Sequence, residues 1–162
     1  MSKYLVTGGA GFIGCNYVHR LLRRGDEVVI YDNLSRRGAD ANVAWLREEH
    51  GEEAFELRAH DVGEVGALRA AMDGVDVVVH LAGQTAVTTS VQDPRSDFED
   101  NALGTFNVLE AARYVEPSPV LLYASTNKVY GEMTETEVVE EETRYAYADR
   151  PQGVSEAQPL DF

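Results

Sequence analysis

The chain has 162 residues, 44% of them hydrophobic and 26% charged, and its 28 acids against 14 bases leave a net charge of −14. That length holds one ordinary domain with a core of its own, and the excess of acid argues against a cationic surface for nucleic acid or an anionic membrane. No apolar run reaches the ~20 residues of a membrane-spanning helix, and the opening MSKYLVTGG lacks the parts of a signal peptide, so a cytoplasmic location is expected.

Taken in chain order, apolar β-rich runs alternate with longer helical patterns. Residues 4 to 6 are predicted as a short buried strand. A helix follows over residues 12 to 24, with Ile13, Tyr17, Val18, Leu21 and Leu22 on one face and Gly25 as its stop. Residues 27 to 31 (EVVIY) form the second strand, and a helix over 41 to 49 carries Val43, Trp45 and Leu46. A third strand at 55 to 58 and a third helix at 64 to 72, closed by Asp73-Gly74, come next. The unbroken β-branched run over 75 to 80 predicts a strand buried on both faces. Residues 97 to 114 are predicted as the longest helix, with Phe98, Ala102, Phe106, Leu109 and Ala112 on its inward stripe, and 119 to 125 as the fifth strand. Beyond Gly131 the chain turns acidic, with six glutamates between Glu132 and Glu142, and then irregular around Pro151 and Pro159, so mostly loop is expected.

Repeated βα units with right-handed crossovers predict an α/β fold, a doubly wound and mostly parallel sheet of Rossmann type with strand order 3-2-1-4-5. Ligands would then lie in the crevice at the carboxyl ends of the strands. Residues 1 to 131 are expected to form this domain, and 132 to 162 a tail.

The run Thr7-Gly-Gly-Ala-Gly-Phe-Ile-Gly14 carries Gly9-x-Gly11-x-x-Gly14 and Gly8-x-x-Gly11-x-x-Gly14 together. Either spacing alone is weak. Here it follows a strand, opens a helix, and precedes by about 20 residues an acid at the end of the second strand, Asp32. Glycine permits the tight turn and the close approach of backbone to a pyrophosphate, and the helix N-terminus supplies oriented N–H groups and partial positive charge. The Asp32 carboxylate suits the adenosine ribose hydroxyls and would repel a 2′-phosphate, which favours NAD over NADP. Arg36 and Arg37 lie just beyond, read either as solvated loop charge or as groups that hold a nucleotide.

Asp61-Val62 follows the third strand, where a carboxylate would meet the adenine amino group and Val62 the ring, unless Asp61 is a helix-capping turn residue. In His80-Leu-Ala-Gly-Gln84, Ala82 and Gly83 let backbone pass close to the nicotinamide half, while His80 reads as a core histidine rather than a base. Thr85, Thr88, Thr89 and Ser90 suit sugar hydroxyls or phosphate, or else are caps and turn formers. Asn101, set among apolar residues, needs a buried partner such as backbone or ordered water, unless it is simply exposed. No metal is expected, because no His/Cys/Asp/Glu set has metal-site spacing and Cys15 stands alone as a small helix residue. Only Lys3 and Lys128 accompany twelve arginines, a composition that suits a high-salt cytoplasm or ordinary solubility under coding bias.

TGGAGFIG, YDN (31 to 33), HDV (60 to 62), HLAG (80 to 83), DNALGTFNVLEAA (100 to 112) and ASTNKVYG (124 to 131) resemble, in order and spacing, the extended short-chain dehydrogenase/reductase family of NAD-dependent nucleotide-sugar epimerases and dehydratases. YDNLSRRG (31 to 38), HLAGQTAVTTS (80 to 90), STNKVYG (125 to 131) and ETRYAYADRPQG (142 to 153) are similar more narrowly to the CDP-paratose 2-epimerases within it. The resemblance implies an isomerase with NAD as cofactor, a nucleotide-sugar substrate and a homodimer. It also implies transient oxidation of the sugar to a ketone, with hydride returned on the other face. By motif, Gly8, Gly11, Phe12, Ile13 and Gly14 would hold the pyrophosphate, and Asp32 and Asn33 the ribose. Asp61 and Val62 would hold the adenine, and Leu81, Ala82, Gly83 and Asn101 the nicotinamide side. Thr85, Thr88, Thr89, Asn127 and Lys128 would face the substrate, and Thr126 takes the place of the family's catalytic serine or threonine.

The family's proton relay needs a tyrosine four residues before a lysine on one helix face. Position 124 is alanine and Lys3 has no residue four before it, so Tyr-x-x-x-Lys is absent. The resemblance therefore implies the amino-terminal, cofactor-binding portion of such an enzyme, its sheet stopping before a sixth strand and its catalytic helix and sugar domain lying elsewhere. A 4,6-dehydratase or 4-epimerase portion, and a non-catalytic NAD-binding sensor or interaction module, remain the alternatives.

Overall fold

The structure is a computed structural model and describes residues 1–150 and 152–160, with the side chain of Asn127 also outside what it describes. The chain divides into two compact units, Met1–Ala124 and Ser125–Phe162.

In the first unit five strands, β1 (Lys3–Thr7), β2 (Glu27–Tyr31), β3 (Glu56–Arg58), β4 (Val77–His80) and β5 (Val120–Tyr123), pair in parallel in the order β3-β2-β1-β4-β5. This is the α/β doubly wound sheet expected. Alternate residues of each strand enter opposite layers. Leu5, Val29, Tyr31 and Val78 pack with Leu68 and Met72 around α3 (Val65–Ala71) and with Val108 and Ala111 of α6 (Gly104–Arg113). Val6, Val28, Ile30 and Val79 pack instead with Val18 and Leu21 of α1 (Phe12–Arg24) and with Val43 and Leu46 of α2 (Ala39–His50). Each such side chain, fully buried, stabilises the fold by roughly 1.5–3 kcal/mol.

The α1 and α2 layer covers β1 to β3 but not β5, whose Val120 and Leu122 stay exposed. The end of α1 is as the sequence dictates: Gly25 adopts the left-handed conformation (φ 83°) and its N–H closes on the carbonyls of Leu21 and Leu22.

Three expectations are corrected. Ile13 lies on α1 but is 69% exposed, because Gly14, Cys15, Val18 and Leu21 form the buried stripe and Ile13 falls to one side of it. The long helix is interrupted: α5 (Pro94–Phe98) leads through a π-helical turn, Glu99–Leu103, into α6. Its stripe is also different, with only Ala112 of the expected set inward. Gly104, Asn107, Val108, Ala111 and Ala112 face the sheet, whereas Phe98, Ala102, Phe106 and Leu109 face outward, Phe106 at 57% exposure. Close packing sets this choice, since a Cβ on Gly104 would stand 2.8 Å from Cγ2 of Val62. The hydroxyl-rich stretch after β4, for which no element was predicted, forms a short helix, α4 (Val87–Gln92).

The second unit, expected to be mostly irregular, carries a 3-10 turn at Asn127–Tyr130 and an antiparallel hairpin. Its strands β6 (Val138–Glu140) and β7 (Tyr145–Tyr147) pair Val139 with Ala146. Valine and tyrosine favour such pairing, and an Arg144–Glu141 ion pair of 2.8 Å closes the turn.

Candidate functional site

Four loops at the carboxyl ends of β1 to β4 converge in the first unit. The loop after β1 is built by close contact. Gly8 has φ +68°, and a Cβ there would stand 2.7 Å from the backbone nitrogen of Ala82. A Cβ on Gly14 would collide with the carbonyl oxygen of Gly8, so the first turn of α1 lies directly on the loop. Gly11 caps α1 without a side-chain hydrogen bond, and no acid stands in the first turn. The leading N–H groups, including those of Phe12 and Ile13, therefore keep their partial positive charge uncompensated. Phe12 and Ile13 are both exposed here, flanking that end.

Asp32 braces the same loop. Its carboxylate accepts from the N–H of Ala10 at 3.0 Å and from that of Leu34 at 2.8 Å. Asn42 of α2 donates to the Ala10 carbonyl at 2.7 Å, so Ala10 is held from both sides. Asn33 donates to the Asp61 carboxylate at 2.7 Å, and the other Asp61 oxygen accepts from the N–H of Gly63 at 2.7 Å. The buried Tyr31 hydroxyl donates to the Asp61 carbonyl at 3.0 Å, and burial pushes its pKa up to about 12. Val62 turns inward against Gly104, its carbonyl bonded by Asn107 at 3.1 Å, so its side chain joins the core.

At the end of β4, Leu81 donates to the Thr7 carbonyl at 3.0 Å and Ala82 to the Thr7 hydroxyl at 3.3 Å. His80 is buried, as expected of a core histidine. Nδ1 lies 2.6 Å from the Thr7 hydroxyl and Nε2 3.1 Å from that of Thr105, and burial lowers its pKa to about 4. Asn101 meets the requirement for a partner with backbone and side chain together. Its oxygen accepts from the N–H of Gln84 at 2.9 Å, and its amide nitrogen donates to the Gln84 carbonyl and the Asp97 carboxylate, both at 3.0 Å. Gly83 sits beneath, where a Cβ would approach the Asn101 oxygen to 2.7 Å. Burial raises the pKa of neighbouring Asp100, with Asp61 and Asp97 adding to the effect.

Arg36 reaches from the loop after β2 to the Thr85 hydroxyl at 3.3 Å, spanning the loop after β1 because β1 lies between β2 and β4 in the sheet. Thr88 and Thr89 are exposed on α4. Thr126 and Lys128 belong to the second unit, where the Thr126 hydroxyl accepts from the Lys128 N–H at 3.3 Å and caps the 3-10 turn. The Asn127 side chain lies outside what is described. Among the described residues no group of three or more His, Cys, Asp or Glu is placed to hold a metal, and no helix is long and apolar enough to cross a membrane.

Sequence reasoning missed Thr7, Thr105, Gln84 and Asp97 as organisers of these loops. The parallel register sets Thr7 beside His80, a pairing that strand order alone does not fix.

The profile of the family described as GDP-mannose 4,6 dehydratase matches residues 5–157. The chain belongs to this family. Among its relatives, CDP-paratose 2-epimerase of Salmonella typhi is 41% identical over 99% of the chain and 47% of its own length. The dTDP-glucose 4,6-dehydratase of Mycolicibacterium smegmatis is 33% identical over 81% of the chain and 38% of its own length. The solved UDP-glucose 4-epimerase of Thermus thermophilus, in complex with NAD, superposes with a TM-score of 0.69 at 34% identity over 98% of the chain and 44% of the epimerase. The chain thus spans less than half the length of these family members.

Proposed function

We propose that this chain is the NAD-binding part of a nucleotide-sugar epimerase of the CDP-hexose 2-epimerase type. The observation that carries the cofactor half is the loop itself: an uncapped helix start over Gly8, Gly11 and Gly14, braced by Asp32. The 41% identity to a CDP-paratose 2-epimerase supports the substrate half.

The residues fit a dinucleotide. Glycines at 8, 11 and 14 let the loop pack on itself and on Ala82 where side chains would collide, and the start of α1 offers N–H groups to a pyrophosphate. Each Asp32 oxygen retains a free lone pair beyond its backbone bond, suited to ribose hydroxyls. Asp61 and Asn33 border the adenine end, and Leu81, Ala82 and Gly83 the nicotinamide end. When bound, NAD supplies reversible hydride acceptance, which is what inverting a sugar carbon through a ketone requires. Thr85, Thr88, Thr89, Asn127 and Lys128 are assigned to the sugar nucleotide, and the Thr126 hydroxyl to a hydrogen bond with the reacting sugar oxygen. Neither lysine has a tyrosine four residues before it, so residues 1 to 162 alone are expected to bind without turnover. A homodimer is the expected assembly of the complete enzyme.

Calorimetric titration with NAD tests the cofactor half, and absence of heat at millimolar NAD would sink it. Joining the chain to a segment that supplies Tyr-x-x-x-Lys and assaying CDP- and UDP-sugars tests the substrate half. Turnover of 4-hydroxyl epimers only would favour the 4-epimerase reading, which the likeness to UDP-glucose 4-epimerase supports. NAD binding that no such segment converts into turnover would favour a sensor.

A further inference from the structure

The loop from Gly83 to Ala86 is held by Asn101, which the resemblance places on the nicotinamide side, and by Gln84, Ser90 and Asp97, which the cofactor reading does not assign. Asn101 pairs with both backbone groups of Gln84, as a neighbouring strand would, and so fixes that residue without any strand beside it. Both amide hydrogens of Asn101 are committed, one to the Gln84 carbonyl and one to Asp97. The Gln84 side chain is fixed in turn: its oxygen accepts from the N–H of Ala86 at 2.7 Å, and its nitrogen donates to the Ala86 carbonyl at 2.7 Å and the Ser90 hydroxyl at 3.1 Å. Ser90 donates to the same Asp97 oxygen at 2.6 Å. One carboxylate oxygen on α5 thereby holds the π-turn through Asn101 and α4 through Ser90, and the loop is stretched between them.

From this geometry we infer that Asp97 is a positioning residue for the nicotinamide end of the site. It touches neither the glycine cradle nor Asp32. It sets the Gly83–Gln84 backbone through Asn101 and the threonines of α4 through Ser90. Asn101 is accordingly a spacer that delivers the loop, with no amide hydrogen left to donate to a ligand.

The inference rests on the NAD reading, and the test separates the two. Affinity for NAD and for ADP-ribose, which lacks the nicotinamide, is measured calorimetrically on the 162-residue chain and its variants. Asp97→Ala is expected to weaken NAD by about tenfold, the loss typical of a hydrogen bond to a charged acceptor, while ADP-ribose stays within about twofold. Asp97→Asn keeps an oxygen acceptor and is expected to restore most of the NAD affinity. Ser90→Ala removes one donor to the hub without emptying it and gives a smaller loss of the same selectivity, which preserves the test if Asp97→Ala fails to fold. Equal weakening of both ligands, or no weakening of NAD in either alanine variant, overturns the inference while leaving NAD binding intact. A parent chain that binds neither ligand overturns the NAD reading and this inference with it.

Discussion

The Thr7 hydroxyl and Nδ1 of His80 stand 2.6 Å apart, and their contact fixes the form of the imidazole. On the far side of the ring, Thr105 donates its own proton to the Asn101 carbonyl at 2.6 Å, so toward Nε2 it acts as acceptor. Nε2 therefore carries the hydrogen, Nδ1 is bare, and Thr7 donates to it while accepting from the N–H of Ala82. Every bond in this chain of five groups is satisfied by the neutral ring. A second ring proton would oppose the Thr7 proton.

This arrangement has a pH signature. Burial lowers the His80 pKa from 6.5 to about 4, so below pH 6.5 the unfolded chain takes up a proton that the folded chain refuses until near pH 4. The stability His80 contributes is thus complete above pH 6.5 and declines as pH falls through that window, by on the order of 3 kcal/mol. Urea unfolding at pH 7.5, 6 and 5 measures it. His80→Gln is expected to be less stable than the parent at pH 7.5 and to lose less on acidification. Parallel pH profiles would contradict the assignment.

Gly14 and Gly66 make a matched pair of glycines in helices. A Cβ at Gly14 would collide with the Gly8 carbonyl, whereas at Gly66, inside α3, nothing lies within 4 Å. Gly14→Ala is expected to destabilise by about 1–3 kcal/mol or more, as overpacking does. Gly66→Ala should stabilise by roughly 0.5–1 kcal/mol through helix propensity and lost unfolded-state freedom. Thermal melts of the two variants decide it, and two changes of the same sign would count against the close packing of loop and helix.

Asp32 is expected to act in two ways that one substitution separates. Asp32→Ala frees the N–H groups of Ala10 and Leu34 and should weaken NAD by about 10- to 100-fold, the range for hydrogen bonds to a charged acceptor. It also removes the charge that would repel a 2′-phosphate, so the preference for NAD over NADP should narrow. Calorimetry with both cofactors gives the ratio, and an unchanged preference would assign discrimination elsewhere.

The outward face of α6 predicts association. Phe106 and Leu109 of α6, and Phe98 of α5 before the π-turn, are all at least half exposed, more large apolar surface than isolated residues supply. Sedimentation of the chain at tens of micromolar should find species larger than the monomer, and Phe106→Glu should shift them to monomer without lowering the melting temperature. A parent that sediments as a monomer would end the proposal.

In the first unit strand identity, strand order and the tight glycine turn after β1 are legible in the sequence, because β-branched runs, alternating βα units and glycine spacing announce them. The orientation of α6 is not. Periodicity assigns Phe106 and Leu109 to the interior, yet the interior takes Gly104, Asn107, Val108 and Ala111 beside the expected Ala112, and at Gly104 Val62 leaves no room for a Cβ. Ile13 departs from expectation for a related reason, since the buried stripe of α1 is set by where Gly14 must touch Gly8. The Asp97 hub is hidden because its members come from separate stretches, Gln84 and Ser90 after β4, Asp97 on α5 and Asn101 in the π-turn, and no spacing within one motif announces their bonds. Thr126 stands out in the sequence by its position in STNKVYG, and its hydroxyl is seen bonding locally to Lys128.

The clasp of Gly8, Gly14 and Asp32 on the loop after β1 bears on rates as well as affinity. The loop is shaped by backbone contact and by the Asp32 carboxylate bond to Ala10, so its ordering entropy is lost during folding and a pyrophosphate arriving there need not freeze it again. Encounter should therefore be limited by diffusion and orientation. Substitutions in the clasp should be read in how long the ligand stays rather than how fast it arrives.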